Sequence, residues 1–387
     1  MRIALVLNDD FSMWHFRKGL ISALCKRGCQ VYTVTPGGPY VKDLEELGAV
    51  HRNVPLYRFV KILPDLRLIW ALYRTFRQDR IDIVHNMTVK PTIYGAIAAR
   101  LARIQKVVAL VSGVGLPFME GGGWRRRVLR ALVTALYRVA FRITDRVWFQ
   151  NPDDRSFFVA LGLLPEEKTI VIRGGGINVD EFSAESVDSR RVKLIRDELG
   201  LGDGTKAVLM IVARLIWSKG VKEFIEAAEI LRNQCPEARF LLIGPYDRDH
   251  PDAIPVGYLE RRESPNFRVH VGFREDVREI LSLADVVVLP SYFREGVPRV
   301  LLEALSLGKP VVTTDHPGCR EVVDDGENGF LVPVKDSKAL ANSIAMLLEN
   351  SSLRSRFGKH SRCKAESEFD EKSVVEKIIT QLYGLES

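Results

Sequence analysis

The sequence predicts an α/β protein built from two doubly wound parallel sheets, and three observations carry that prediction. Short apolar runs with polar exits alternate with longer helix-like segments along the whole chain. Its 387 residues suffice for two domains, each burying its own core. Near the middle, Arg173-Gly-Gly-Gly-Ile-Asn follows a strand-like run and reads as a hinge.

In the first half, strands are expected at 2–7, 30–35, 81–85, 107–111, 146–150 and 169–172. Helices are expected between them at 16–27, 65–77, 92–103, 124–141 and 152–161. The second half repeats the alternation, with strands at 207–212, 239–243, 269–271, 286–289, 310–313 and 329–331. The expected domains are 1–173 and 174–369. Ligands of such sheets gather at the carboxyl ends of the strands.

Composition narrows the class. Hydrophobic content of 46% and charged content of 27% are ordinary for a globular protein, and no apolar run reaches membrane-spanning length. The N-terminus turns acidic too early for a signal peptide and reads as a first strand. Five cysteines at 25, 29, 235, 319 and 363 show no metal-ligand spacing, and reduced thiols are expected. Residues 1–173 carry 27 Lys+Arg against 14 Asp+Glu, a balance of +13, while the remainder carries −6. Such a basic half fits an anionic partner. No nucleic-acid motif accompanies it, so membrane lipid or a lipid diphosphate is the expected partner.

The chemistry concentrates after the apolar run Ala284-Asp-Val-Val-Val-Leu-Pro-Ser, a buried parallel strand. The next segment, Tyr292-Phe-Arg-Glu-Gly-Val-Pro-Arg-Val-Leu-Leu-Glu, places Glu295 in a strand-to-helix loop and Glu303 about two turns into the helix. Gly296 makes the turn, Val297 follows, and Pro298 suits the first helical turn. A helix start between two carboxylates favours a phosphate there. The combination reads as a nucleotide-sugar pocket: Glu303 on ribose hydroxyls, Glu295 on the sugar, the helix start on the diphosphate. Arg214 and Lys219, in the loop after the run 207–212, suit the same diphosphate. Asp247-Arg-Asp has a metal-binding spacing, but its neighbours His250, Pro251 and Asp252 make it read as an exposed polar loop, and no metal is expected.

Glu295 and Glu303 match the Glu-x7-Glu motif of the retaining glycosyltransferases of family 4. Val212-Ala-Arg-Leu-Ile-Trp-Ser-Lys-Gly and Gly318-Cys-Arg-Glu-Val-Val-Asp-Asp-Gly-Glu-Asn-Gly extend the resemblance, which covers the chain strongly in its C-terminal half and loosely in its N-terminal half. The resemblance implies the GT-B fold, two Rossmann-like domains facing across a cleft, with a last helix within 370–387 crossing back to the first domain. It implies Glu295, Arg214 and Lys219 as catalytic groups, with Glu303, Gly296, Val297, Pro298, Gly244, Gly272, Phe273 and Gly318 around the donor.

On the acceptor side, His15 and Arg17 are expected to flank a helix start after the first strand. Gly113 and Gly115 give a tight backbone, Glu120 is a candidate base, and Lys90 a candidate for a lipid diphosphate. Many relatives carry a Gly-Gly pair in the first loop and several a histidine near Gly113; neither is present here. The segment 124–142 reads as a basic amphipathic helix, with Arg127, Arg130, Arg138 and Arg142 on one face and apolar groups opposite. Residues 56–64 add aromatics and cations.

The expected function is retaining transfer of a sugar, a HexNAc, from a UDP-sugar to a polyprenyl-diphosphate-linked acceptor in bacterial polysaccharide assembly. No cofactor is expected beyond the UDP-sugar co-substrate. The expected location is cytoplasmic, peripheral on the inner membrane face. The rivals are a nucleotide-sugar epimerase of the same fold and a non-catalytic membrane scaffold.

Overall fold

The computed structural model describes residues 1–57, 62–115, 118, 123–212 and 214–386. Two compact units emerge: residues 1–175 with 371–387, and residues 176–370.

Unit 1 is built on a seven-stranded sheet in the order β3-β2-β1-β4-β5-β6-β7, with every pairing parallel. Its strands are β1 (Arg2–Val6), β2 (Gln30–Thr35), β3 (Val50–Asn53), β4 (Ile83–Met87), β5 (Lys106–Val111), β6 (Arg146–Phe149) and β7 (Thr169–Val171). Its helices are α1 (Asp10–Lys26), α2 (Val41–Glu46), α3 (Ile62–Gln78), α4 (Ala96–Leu101), α5 (Trp124–Ile143) and α6 (Pro152–Ala160). A π-turn over Pro91–Gly95 leads into α4. One apolar layer under α3, α4 and α5 includes Val84, Leu68, Leu72 and Phe141. The opposite layer, under α1, includes Ile83, Met87 and Leu20. Alternate residues of β4 thus serve opposite faces, as the strand period requires.

Unit 2 carries a six-stranded parallel sheet in the order β10-β9-β8-β11-β12-β13. The strands are β8 (Lys206–Ile211), β9 (Ala238–Gly244), β10 (Phe267–Val271), β11 (Val286–Leu289), β12 (Val311–Thr314) and β13 (Gly329–Val332). Its helices are α7 (Ser189–Glu198), α8 (Val221–Leu231), α9 (Val277–Ser282), α10 (Arg299–Ser306), α11 (Ser337–Glu349) and α12 (Ser351–Glu368). Every residue of β11 is buried, which explains its unbroken Val-Val-Val-Leu sequence.

The last helix, α13 (Glu371–Lys377), and a π-turn over Ile378–Leu382 belong to unit 1. Val374, Ile378 and Leu382 join the apolar layer under α1. The Tyr383 hydroxyl is 2.7 Å from His85 Nδ1, and both residues are buried. Burial, then Arg17, pushes the His85 pKa well below its usual value, so the ring is neutral.

Three sequence expectations need correction. The strand β3 is missing from them, because Val-His-Arg-Asn at a sheet edge is too polar to show a strand pattern. Helix α1 begins at Asp10, six residues earlier than expected, because the Asp9 carboxylate caps it by accepting the Ser12 N–H at 2.6 Å. Glu303 lies only one turn into its helix, since α10 starts after Pro298.

Tyr383→Phe is expected to lower urea stability by about 1–2 kcal/mol by leaving a buried imidazole nitrogen without its partner. An unchanged urea midpoint would show that this contact does not hold the C-terminal segment.

Candidate active site

The chain order of unit 2 fixes where a ligand can enter. After β8 the chain lays down β9 and β10 on one side, then returns to place β11 on the other. The connections after β8 and β11 therefore leave the same sheet edge in diverging directions, the usual crevice of an open parallel sheet. The β8 connection carries Arg214 and Lys219, and the β11 connection carries Glu295.

These two connections are bonded to each other. Lys219 Nζ lies 2.5 Å from Glu295 Oε1, with the side chains 8% and 19% exposed. That shielding makes the pair a strong electrostatic contact rather than a surface ion pair. Ser291 Oγ lies 3.2 Å from Glu295 Oε1 and 3.3 Å from the Ser218 carbonyl, and it accepts the Phe293 N–H at 3.2 Å. The Tyr292 N–H donates to the Ser218 carbonyl at 2.8 Å. The Thr314 hydroxyl, at the end of β12, donates to the Ser291 carbonyl.

Backbone geometry brings Lys219 into place. A 3-10 turn over Trp217–Lys219 ends at Gly220 with φ 81°, and a Cβ at Gly220 would collide with the Pro290 carbonyl. Asp252 Oδ2 accepts the Ser218 N–H at 2.8 Å, and the Trp217 N–H donates to the Asp252 carbonyl at 3.0 Å. The segment around Asp247 is thus a brace for the Lys219 turn, with His250 buried, and the expected exposed polar loop is corrected to that extent. Arg214 Nη1 lies 3.9 Å from Asp247 Oδ2. Its guanidinium carbon and the Lys219 ammonium stand 5.8 and 5.9 Å from the Phe293 ring centroid.

Glu303 projects from α10. Arg299 Nε donates to its Oε1 at 3.0 Å, one turn earlier on the same helix. Burial raises the Glu303 pKa, and Arg299 opposes that shift. Gly296 is buried, Val297 packs on the core of unit 2, and Pro298 forms the N-cap. Gly318 has φ 84°, and a Cβ there would strike the carbonyls of Gly296 and Glu295. The next residue, Cys319, is fully buried; burial, then Glu295, pushes its thiol up to about 12.

The other donor-side residues lie at the same edge, Gly244 at the end of β9 and Gly272 and Phe273 just after β10. Gly244 approaches the Val212 carbonyl closely enough to exclude a side chain. Gly272 has φ 143° and open space around it. Phe273 is 54% exposed, so it is no core residue.

In unit 1, the early start of α1 puts His15 and Arg17 inside the helix rather than beside its start. The His15 ring lies 4.3 Å from Phe11 and 5.1 Å from Tyr40. Arg17 is buried, with its guanidinium 5.3 Å from the Trp148 ring and its Nε 3.2 Å from Met87 Sδ. Lys90 is buried as well: its ammonium is 2.7 Å from Asp65 Oδ1, while Tyr94 donates to Asp65 Oδ2 at 3.0 Å. The candidate for a lipid diphosphate thus already holds a carboxylate partner within unit 1. Gly113 and Gly115 have φ 119° and 77°. Glu120 lies outside the described residues, as do residues 58–61 of the aromatic segment.

Sequence reasoning missed Ser291, Gly220 and Asp252. Gly220 left a signal, a glycine directly after the candidate lysine. Asp252 left none, because its role depends on a contact 34 positions away.

Lys219→Met is expected to destabilise unit 2 by on the order of 3 kcal/mol in urea, because it strands a shielded carboxylate. Adding Glu295→Gln is expected to recover most of that loss. A single mutant as stable as the parent would remove the pair as a structural element.

Comparison with known proteins identifies the family. A family model for "Glycosyl transferases group 1" matches residues 194–364, and one for "Glycosyl transferase 4-like domain" matches residues 13–175. The chain is 30% identical over 384 residues to the N,N'-diacetylbacillosaminyl-diphospho-undecaprenol alpha-1,3-N-acetylgalactosaminyltransferase of Campylobacter jejuni, covering 98% of this chain and 97% of that protein. It is 27% identical over 343 residues to the UDP-Gal:alpha-D-GlcNAc-diphosphoundecaprenol alpha-1,3-galactosyltransferase of Escherichia coli, covering 88% and 85% of the two chains. The fold is similar to that of Anabaena HepE, solved in complex with UDP and glucose, with TM-score 0.79, 22% identity and full coverage of both chains. Two parallel Rossmann-like units and a full-length relative at this identity place the chain in a known family: it belongs to the group 1, family 4-type glycosyltransferases of GT-B fold.

Proposed function

We propose that this glycosyltransferase moves a HexNAc residue from a UDP-sugar to a polyprenyl-diphosphate-linked sugar, with retention of configuration. The observation that carries the reading is the Lys219–Glu295 pair at the unit 2 crevice, with Arg214 on the Lys219 connection and Glu303 on the helix that follows Glu295. Its support for the acceptor is the full-length similarity to a transferase named for a diphospho-undecaprenol-linked sugar.

In this reading Lys219 and Arg214 stabilise the departing diphosphate as charge develops on it. The N-terminus of α10 adds its partial positive charge. Glu303 accepts the ribose hydroxyls, and Glu295 orients the sugar without forming a bond to it. The leaving phosphate takes the acceptor hydroxyl's proton during same-face attack. Two cations and a helix start supply the phosphate counter-charge, so the reaction requires no metal.

The acceptor is membrane-bound, and unit 1 offers a surface for that membrane. No helix among the described residues is long and apolar enough to cross a bilayer. Arg127 through Leu132, in the first turns of α5, are all exposed, so Val128, Leu129 and Leu132 stand in solvent beside the arginines rather than on a packed face. Helix α3 buries Leu68, Leu72 and Phe76 and exposes Leu63, Leu66 and Trp70. Exposed apolar groups among arginines fit an anionic lipid interface. The protein then works as a peripheral enzyme on the cytoplasmic face of the inner membrane.

Mass spectrometry of products from a panel of UDP-sugars and lipid-diphosphate-sugars tests the reading. Addition of one HexNAc to the lipid-linked sugar, undiminished by EDTA, is the expected result. Epimerisation of UDP-sugar alone, or inertness to every pair, would overturn it. Glu303→Ala is expected to raise the donor KM roughly tenfold. The native Glu303 carboxyl holds its proton above the usual pH range, so donor KM is expected to rise as pH falls through that raised pKa. Glu303→Gln is expected to flatten that profile.

Replacing Arg127, Arg130 and Arg138 with Glu is expected to release the protein from anionic vesicles in a flotation assay. Binding equal to the parent's would reject the lipid surface.

A further inference from the structure

Lys335 lies in the connection after β13, on the opposite side of β12 from the β11 connection that carries Glu295. Its φ is 62°, one of four positive values at non-glycine positions among the described residues. That backbone region disfavours any residue with a Cβ, and a long cationic side chain gains nothing from it locally. The neighbouring contacts enforce it. Asp336 caps α11 by accepting the N–H groups of Lys338 and Ala339 at 3.1 and 2.9 Å. The Ser337 hydroxyl donates to Glu226 of α8 at 2.5 Å.

The enforced turn directs the Lys335 ammonium to 4.8 Å from the Tyr292 ring centroid. Tyr292 is the residue whose N–H holds the Ser218 carbonyl, and it lies between Ser291 and the Glu295 loop. Glu223, in the first turn of α8, is 6% exposed and has a carboxylate oxygen, Oε2, without a hydrogen-bond partner. Burial raises the Glu223 carboxyl, with Lys335 a minor opposing charge, and burial then Glu223 push the Tyr292 hydroxyl up to about 12.

We infer that Lys335 is a positioning residue for catalysis, clamping the Tyr292 ring so that the Ser291–Glu295 segment presents Glu295 to Lys219. The left-handed backbone at Lys335 serves that placement rather than stability. Lys335 acts through Tyr292 and touches no reacting atom. The inference rests on the proposed donor site, yet its first test needs no substrate.

In native-state hydrogen exchange, Lys335→Gly is expected to speed exchange of the Tyr292 and Phe293 amides roughly fivefold, the size a cation–π contact supports. The melting temperature should hold or rise, because glycine accepts the left-handed turn without strain. Transfer assays should show kcat falling by a similar factor while the acceptor KM stays constant. Lys335→Arg, which returns a cation to the ring, should restore both the exchange rates and kcat. Unchanged exchange at Tyr292 and Phe293 in Lys335→Gly would overturn the inference, and so would failure of Lys335→Arg to rescue. If Lys335→Gly folds poorly, Lys335→Asn, which also tolerates the turn, replaces it under the same criteria. Absence of transfer by the parent enzyme would sink the proposed function instead, and the exchange result would still decide whether Lys335 clamps Tyr292.

Discussion

A lysine and a glutamate share a shielded position at the crevice of unit 2, and most of the local structure exists to keep them together. Neither charge is tolerable there alone, since a carboxylate without a counter-ion in that setting carries a large desolvation penalty. Their pairing demands that two connections from adjacent strands approach within hydrogen-bond distance. Gly220 permits the approach by having no side chain to strike Pro290. Ser291 and Tyr292 lock it by bonding to Ser218. Gly318 closes the third side against the Glu295 and Gly296 carbonyls. A site assembled this way is pre-organised: its geometry is set by backbone contacts before a ligand arrives.

The same logic separates the two glutamates. Glu295 faces a lysine from another connection, and Glu303 faces Arg299 from its own helix. The first contact ties tertiary structure together, whereas the second forms wherever α10 forms. Burial nevertheless raises the Glu303 pKa against Arg299, so the environment outweighs the local ion pair. An arginine one helical turn away leaves the carboxyl's second oxygen available to another partner.

Unit 1 follows a different economy. Its charged candidates are drawn inward, with Lys90 against Asp65, which also accepts the Tyr94 hydroxyl, and Arg17 against Trp148 and Met87. Its apolar residues are partly turned outward on α3 and α5. That exposed apolar set is the feature on which the proposed lipid surface rests. The basic balance of this half is carried in part by the arginines among those exposed apolar groups.

Much of this protein was legible in one dimension. The strand–helix alternation fixes the class of both sheets because parallel strands buried on both faces must be continuously apolar. The spacing of Glu295, Gly296, Pro298 and Glu303 declares a strand-to-helix turn because proline and glycine act through their own backbone torsions. The polar edge strand β3, the early start of α1 at Asp10 and the buried state of Lys90 were not legible in that way. The first and last depend on partners that sequence distance hides, a neighbouring strand and a carboxylate 25 positions away, whereas the cap is a local contact from Asp9 to Ser12 that carries no apolar period and no proline or glycine. Local torsional preference and periodicity are properties of the chain itself. Which charges meet, and which are shielded from water, is decided only when distant segments pack, because Coulomb attraction and desolvation depend on separation in space.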